Sequence, residues 1–584
     1  MVARPVGRAA RLFGVAALFL SLPAMADDRR HVALSDGMPF NWTGFYAGFH
    51  LGGLSDLSEV SDPRGDSLFG NPIHAAGAFG GGQLGYAYQS GIVVYGLEAD
   101  VSFPHLEGTG TCSALSGSFI NANCKTDIDA FGTLTARLGL VLGASGRTVV
   151  YGKAGAAWYA GELHQATNDW DEGADGNPFT VGNDDISRWG WTLGLGADYA
   201  LSRKWFLSAE YGYTNFGNRS VALLPSAVLD NAGTVVETVP GRTGQISRDL
   251  HTFKLGLNYR FGSPSSDGPA PASQFEDLTP ARHGFGLEFG ARYWYSWGRH
   301  KYDLGHERHG AASRHSLVSR LTYDDVTAST GELTARLTTP WNVFAAGFIG
   351  GGSVTGGHMN DEDFNIPGDT VTTIPYTNTL SPKLSGDIPA YGTIDVGYDW
   401  WRAAGHRLGT YVGYNYYREE MGALGVIQTA NQFGPVGAHV GGGLPPVGHP
   451  IIAQEATWHS LRLGATGAFD LTPRITFSAD VAFLPYVSVN AEDRHYFGNT
   501  PEIASINPLR GHGYGTQLEA MLSYALTDRL NVGVGARYWS MWTTDGDMQR
   551  TYDASGPVTP TKQNLKIETE RVGVFGQVSY RFGD

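Results

Sequence analysis

The sequence predicts an all-β protein made of two tandem transmembrane antiparallel β-barrels, the first of eight strands and the second of ten. Three observations support this prediction: an export signal, many segments in which apolar and polar residues alternate, and a composition rich in glycine and aromatic residues. The 584 residues include 81 glycines, 12% aromatic residues and only 17% charged residues. Such a composition suits strands that turn small residues inward and place aromatic girdles near the membrane surface.

The first 26 residues have the features of a signal peptide. A basic start is followed by an apolar run at residues 13–22 and by the small-residue cleavage pattern Ala24-Met25-Ala26. The alternative is a retained membrane helix, but this run falls well short of the ~20 apolar residues that cross a bilayer. No later apolar stretch approaches that length, so we expect an exported chain that begins near Asp27 and forms a barrel in the cell outer membrane.

The net charge argues against nucleic acid as a partner. It is −15 for the whole chain and becomes −18 when the three arginines of the signal peptide are removed (−15 − 3). An acidic surface repels phosphate groups. We expect outer-membrane lipid and the barrel-assembly machinery as partners instead.

The only two cysteines, Cys112 and Cys124, lie twelve positions apart in a stretch rich in glycine, serine and asparagine. Exported proteins enter an oxidising compartment, where such pairs of cysteines form disulfide bonds. We therefore expect a disulfide that staples a loop, with two free thiols as the alternative.

Eight alternating segments predict the first barrel, within residues 27–262. They begin near Asn41, Ala76, Ile92, Ile128, Thr148, Trp189, Trp205 and Leu250. In the last segment one face carries Leu255, Leu257, Tyr259 and Phe261, and the other carries Lys254, Gly256, Asn258 and Arg260. The same alternation turns charges of both signs inward: Glu98, Asp100, Arg137, Asp198 and Glu210. Side chains are expected to fill so narrow a barrel, which disfavours an open pore.

A stretch rich in proline, serine and glycine, residues 263–283, predicts a periplasmic linker. Ten further segments predict the second barrel, within residues 284–584. They begin near Gly284, Ser316, Trp341, Leu384, His406, Trp458, Ile475, Tyr514, Leu530 and Lys566. The linker, and the similar endings NYRFG at 258–262 and SYRFG at 579–583, argue against the alternative of a single porin-like barrel of eighteen strands.

Short turns at residues 201–204, 471–474 and 526–529 each join two alternating runs. In outer-membrane barrels such turns face the periplasm, so we expect the longer loops to face outside.

Two short segments of the second half carry candidate chemistry. Asp361 and Asp363 are spaced i, i+2, as are Asp493 and His495, so each pair shares one face of a strand. Both pairs come late in strands predicted to run outward, beyond the lipid. An aspartate can orient a histidine that takes a proton from water, and a facing carboxylate pair can hold that water. By spacing alone, solvated acidic loop tips are the stronger interpretation.

The first half resembles the eight-stranded surface-antigen family of small outer-membrane proteins. The resemblance rests on the segment NWTGFYAG at 41–48 and on the ending LNYRF at 257–261. Members of that family are structural or immunogenic surface proteins, so the resemblance implies no reaction.

The second half resembles the omptin family of outer-membrane proteases. Residues 356–364, GGHMNDEDF, match the family's Gly-Gly-x-Met-x-Asp-x-Asp-aromatic segment, and residues 493–496, DRHY, match its Asp-x-His-Tyr. The resemblance implies an aspartic-type endopeptidase, a hydrolase that cleaves peptides or proteins at the cell surface with activated water. It implies Asp493 and His495 as the catalytic dyad and Asp361 and Asp363 as the pair that holds the water.

The chain also departs from the omptin pattern. Ala491 and Tyr302 stand where the family usually has acidic residues that bind a basic substrate side chain, so a preference for Arg or Lys does not follow. Tyr414 and Arg418 match the family's lipopolysaccharide contacts, but Thr457 stands where a basic residue is usual. The resemblance implies no cofactor other than a lipopolysaccharide requirement.

Strand parity sets one condition on the candidate site. Counting by twos from Phe477 places Asp493 on the lipid-facing side, so we expect a bulge in this strand.

Four histidines, His300, His306, His309 and His315, are predicted to lie in a solvated loop, and their spacing fits no compact zinc motif, so no metal site is expected. The alternatives to an outward-facing endopeptidase are a structural or adhesive surface protein and a passive porin-like pore.

Overall fold

The computed structural model describes residues 40–63, 73–104, 106–112, 122–142, 146–167, 181–224, 226–229, 235–261, 285–305, 317–367, 373–403, 406–430, 450–496, 502–553, 556–557 and 562–582. The predicted signal peptide, residues 1–26, and the predicted linker, residues 263–283, lie outside these ranges. Within them, no helix is long and apolar enough to cross a membrane.

The described part of the first half consists of strands. They are β1 (Gly44–Ser61), β2 (Ile73–Ser90), β3 (Val93–Pro104), β4 (Leu106–Cys112), β5 (Ala122–Ile128), β6 (Ala130–Leu142), β7 (Thr148–Ala160), β8 (Glu162–Thr167), β9 (Val181–Asp185), β10 (Arg188–Ala200), β11 (Trp205–Leu223), β12 (Ser226–Leu229), β13 (Val235–Val239) and β14 (Arg242–Phe261). Eight of them close an antiparallel barrel in the order β1-β14-β11-β10-β7-β6-β3-β2.

The described part of the second half consists of longer strands. They are β15 (Gly286–Gly305), β16 (Leu317–Thr338), β17 (Val343–Pro367), β18 (Thr373–Ser381), β19 (Lys383–Ala403), β20 (His406–Leu424), β21 (Ile427–Ala430), β22 (Pro450–Thr472), β23 (Ile475–Tyr496), β24 (Ile503–Ala525), β25 (Leu530–Gln549), β26 (Tyr552–Asp553), β27 (Gly556–Pro557) and β28 (Lys562–Phe582). Ten of them form a ring in the order β16-β15-β28-β25-β24-β23-β22-β20-β19-β17, which closes when β17 pairs with β16.

The predicted fold class, an eight-stranded barrel followed by a ten-stranded barrel, is therefore confirmed, and the single barrel of eighteen strands is wrong. Closure pairs the edge strands of both sheets, which is what a β-structure needs to cross lipid without exposing unpaired backbone groups.

Ion pairs fill the interior of the first barrel, as the alternation predicts. Arg137 lies 3.0 Å from Glu98 and 2.6 Å from Asp198. Glu210 accepts from the ammonium groups of two lysines, at 2.6 Å from Lys153 and 2.8 Å from Lys254. All these side chains are nearly inaccessible to solvent. Buried charges are stable only when they are paired in this way, and the network occupies the lumen.

A band of exposed apolar side chains surrounds each barrel and marks its membrane-spanning part. In the second barrel the band ends near Tyr295 on β15, Ile349 on β17 and Tyr486 on β23. Beyond these residues the strands continue, and the additional short strands β18, β21, β26 and β27 pair at that same end. We call it the long-loop end of the second barrel. The tight turns at 473–474 and 526–529 join strands of this barrel at the opposite end.

Candidate functional site

A bulge in β23 turns Asp493 into the barrel. Pairing with β24 shifts register between Leu484 and Val487, and pairing with β22 shifts register between Phe483 and Tyr486. Before the shift the even-numbered Leu484 is fully buried, and after it the odd-numbered Val487 and Asp493 are buried, Asp493 with 2% of its surface exposed. An extra residue in a strand reverses which face later side chains occupy. The irregularity that the parity of this strand requires is therefore present.

Asp493 and His495 form a hydrogen-bonded pair at the long-loop end. The Nε2 atom of His495 lies 2.6 Å from Oδ2 of Asp493, and 31% of the histidine side chain is exposed. Asn507, across the strand pair on β24, donates to the same carboxylate oxygen at 3.4 Å. The carboxylate thus orients the ring through one of its two nitrogen atoms.

A second irregularity places the carboxylate pair of β17. Register between β16 and β17 shifts around Thr327, opposite Gly356, and Gly357 has a φ of 134°, which favours glycine. Before the shift Val354 faces the core, and after it Met359 does. Asp361, two residues beyond Met359, consequently faces inward.

The two pairs lie on opposite walls of the second barrel. Three strands, β19, β20 and β22, separate β17 from β23 on one side, and five strands separate them on the other. Across the mouth Asp361 interacts electrostatically with both Asp493 and His495, and His495 also interacts with Asp363. All four residues singled out in the sequence therefore lie within electrostatic range of one another, and we call the space between them the cleft.

Two buried tyrosines belong to the same cleft. Tyr302 on β15 and Tyr323 on β16 are exposed by only 1% and 0% of their surfaces. Both interact with Asp493 and Asp361. Tyr302 stands where the omptin pattern usually has an acidic residue, whereas nothing in the sequence distinguishes Tyr323 from the other aromatic residues of the barrel.

Two buried polar atoms of the cleft lack a hydrogen-bond partner within the described part of the chain. They are Oδ1 of Asp361 and the hydroxyl group of Tyr323, whereas the hydroxyl group of Tyr302 is hydrogen-bonded to Asp493. An unsatisfied buried polar atom costs on the order of 1–3 kcal/mol, so such atoms concentrate where a protein binds water or ligand. One acceptor and one donor of the cleft are therefore available to water or a ligand.

The cleft perturbs the protonation of its own groups. Burial lowers the pKa of His495, but the carboxylates of Asp493, Asp361 and Asp363 outweigh it and raise that pKa to about 9. Burial and the neighbouring Asp363 raise the pKa of Asp361 well above its ordinary value. Burial and Asp493 raise the pKa of Tyr302, which stays a hydrogen-bond donor.

The residues suggested as lipid contacts lie on the outer face of β20. Tyr414 is 44% exposed, and its hydroxyl is hydrogen-bonded to His459. Arg418 lies 2.6 Å from Glu420 and 2.8 Å from Glu455, so two carboxylates already neutralise its positive charge. Thr457 is its direct partner across the strand pair.

The prediction of a solvated histidine loop is wrong for His300. This residue belongs to β15, is only 1% exposed, and lies 2.9 Å from a carboxylate oxygen of Glu419 inside the barrel. The strand continues beyond the apolar band, where alternation of lipid-facing residues no longer marks it. His306, His309 and His315 lie outside the described residues, among which no cluster suited to a metal ion occurs.

Comparison with known proteins bears mainly on the first half. Residues 14–261 match the family described as outer membrane protein beta-barrel domain. The 31 kDa outer-membrane immunogenic protein of Brucella melitensis is 32% identical over 230 residues, which cover 38% of this chain and 85% of that protein. The 25 kDa outer-membrane immunogenic protein of the same organism is 27% identical over 225 residues, covering 38% and 80%.

Among solved structures, the outer membrane protease OmpT from Escherichia coli aligns with 52% of this chain and 98% of its own, at 16% identity and a TM-score of 0.41. A likeness at that level carries no argument about function.

Proposed function

This chain belongs to the outer-membrane β-barrel protein family, and we propose that its second barrel is an omptin-like endopeptidase that cleaves peptides or proteins at the cell surface. The observation that carries the proposal is the cleft in which the hydrogen-bonded Asp493 and His495 face the carboxylate of Asp361. The named relatives are immunogenic outer-membrane proteins, and each of them covers 38% of this chain.

The cleft has the groups that hydrolysis by an activated water needs. A water molecule held between Asp361 and His495 would give a proton to the neutral imidazole and attack the peptide carbonyl carbon. Asp493 would stabilise the imidazolium that forms, which can then protonate the leaving amine. The buried hydroxyl of Tyr323 is available to donate to the negative charge on the carbonyl oxygen. No protein nucleophile is required, so no acyl-enzyme forms.

Cleavage of a peptide library by the refolded full-length protein tests this proposal. Expected products are fragments with free new termini, and a protein quenched in acid during turnover should keep its unmodified mass. A protein that gains the mass of an acyl fragment would exclude the water mechanism. A protein that binds peptides or cells without cutting them would instead be an adhesive surface protein. Cleavage measured with and without added lipopolysaccharide shows whether the activity requires that lipid.

The pH dependence of cleavage follows from the raised pKa of His495. The reactive form is the neutral imidazole, and its fraction falls roughly tenfold for each pH unit below the pKa. With a pKa of about 9, kcat/KM should rise steeply from pH 6 to pH 8 and level off near pH 9. Asp493→Asn removes the main carboxylate that raises this pKa, so its residual activity should level off at lower pH. A flat profile between pH 6 and 9 would contradict the role of His495.

Ala491 should determine which substrate side chain is accepted. It lies two residues before Asp493 on the same inward face and offers no charge to a basic side chain. In Ala491→Asp a new carboxylate would pair with a substrate arginine, and kcat/KM for arginine peptides should rise about ten- to hundredfold relative to uncharged ones. Ala491→Asn, of the same size but uncharged, is the matched control. Equal changes in both variants would show that Ala491 does not border the substrate.

A further inference from the structure

Strand β4 of the first half packs against the outer side of a wall of the second barrel, which is formed by β15, β16 and β17. Four charged residues of that wall, Lys301, Asp303, Arg320 and Glu362, are exposed by only 3%, 5%, 2% and 0% of their surfaces. They belong to three adjacent strands, β15, β16 and β17, on the side opposite to the cleft. In an isolated barrel the outer side of a rim beyond the membrane would face water.

Two threonines of β4 supply hydrogen bonds to these charges. Thr109 donates to Asp303 at 2.7 Å and accepts from Lys301 at 2.6 Å. Thr111 accepts from Arg320 at 2.8 Å and donates to Glu362 at 3.1 Å. Because a buried charge is stable only with such partners, β4 is an integral part of this wall.

The same three strands carry the cleft residues at the neighbouring positions. Glu362 lies between Asp361 and Asp363, and Arg320 pairs with Glu362 across the strands, next to the pair of Leu321 and Asp361. A displacement of Glu362 therefore moves the backbone that carries both carboxylates.

Two features hold β4 in place. Gly108 approaches β2 so closely that a β-carbon there would lie 2.8 Å from the carbonyl oxygen of His74. The disulfide between Cys112 and Cys124 joins β4 to β5 directly after Thr111, with 5.8 Å between the two Cα atoms. The strand is thus fixed to the first barrel on one side and contacts the second barrel on the other.

We propose that Thr111 of the first half is a positioning residue for the reaction of the second half, acting through Arg320 and Glu362 on the carboxylates of Asp361 and Asp363. This inference rests on the proposed peptidase function. It makes the first half part of the working enzyme, because two threonines of β4 hydrogen-bond the buried charges of this wall.

Thr111→Val tests the inference in the full-length protein. The change keeps the side-chain shape and removes the hydroxyl. We expect kcat to fall about tenfold to hundredfold with little change in KM, since small displacements of a catalytic group cost rates of this order. Asp361 would also move relative to His495, so the pH at which kcat/KM levels off should fall. Thr111→Ser restores the hydroxyl and should restore both properties.

Thr126→Val is the matched control, because Thr126 lies on the adjacent strand β5, is 1% exposed, and its hydroxyl has no hydrogen-bond partner within the described residues. If Thr111→Val loses activity with an unchanged pH profile, its effect is only a smaller folded fraction and the inference is wrong. Wild-type kinetics in Thr111→Val would also overturn it. A wild-type protein that cleaves no peptide would refute the proposed function itself.

Discussion

Replacing His495 by alanine is expected to lower kcat/KM for peptide cleavage by about 10²- to 10⁴-fold, the range that general acid–base catalysis contributes. The imidazole is the group in the cleft that can take the proton from water, and its hydrogen bond to Asp493 at 2.6 Å fixes its orientation. Steady-state kinetics with one fluorogenic peptide measure the effect, and KM should change little because the ring acts on the water.

His512→Ala is the control for this prediction. His512 lies on β24 of the same barrel, with 57% of its side chain exposed and 3.8 Å from Asp545. It carries the same chemical group outside the cleft, so its loss should leave kcat/KM unchanged. If both variants cleave at the wild-type rate, His495 is not the base.

Asp361→Asn is expected to lower kcat by about 10²-fold, because the amide cannot hold the water with a negative charge. The effect should be larger than that of Asp545→Asn, whose side chain is 78% exposed at the same end of the barrel. Single-turnover rates distinguish loss of chemistry from slow product release. Wild-type turnover in Asp361→Asn would remove the carboxylate pair from the mechanism.

The membrane-spanning part of the fold could be predicted from the sequence because lipid imposes a strict alternation. The start predicted near Thr148 agrees with β7, and those near Ile475 and Leu530 agree with β23 and β25. Prediction fails above the membrane. There β22 begins at Pro450 and β24 at Ile503, whereas the expected starts are near Trp458 and Tyr514. Beyond the lipid no apolar face is required, so the period-two signal weakens.

The site could be predicted only in part for a related reason. The residues of each pair are neighbours in the sequence, and the strand period places them on one face. The tyrosines and the threonines of β4 reach the site from other strands, through contacts between residues far apart in the chain. Tyr323 and Thr111 therefore carry no local signal, whereas the lipid-facing position that strand alternation assigns to Asp493 did indicate the bulge between Leu484 and Val487.

The pKa of His495, measured by NMR in the full-length protein labelled at histidine, tests most directly whether the two remote segments act on one another across the mouth. We predict a pKa of about 9 in the wild type and a lower pKa in Asp361→Asn, because the carboxylate on the opposite wall stabilises the imidazolium. Asp545→Asn should leave the value unchanged. A His495 that titrates near its ordinary pKa of 6.5 in all three proteins would contradict the shared cleft.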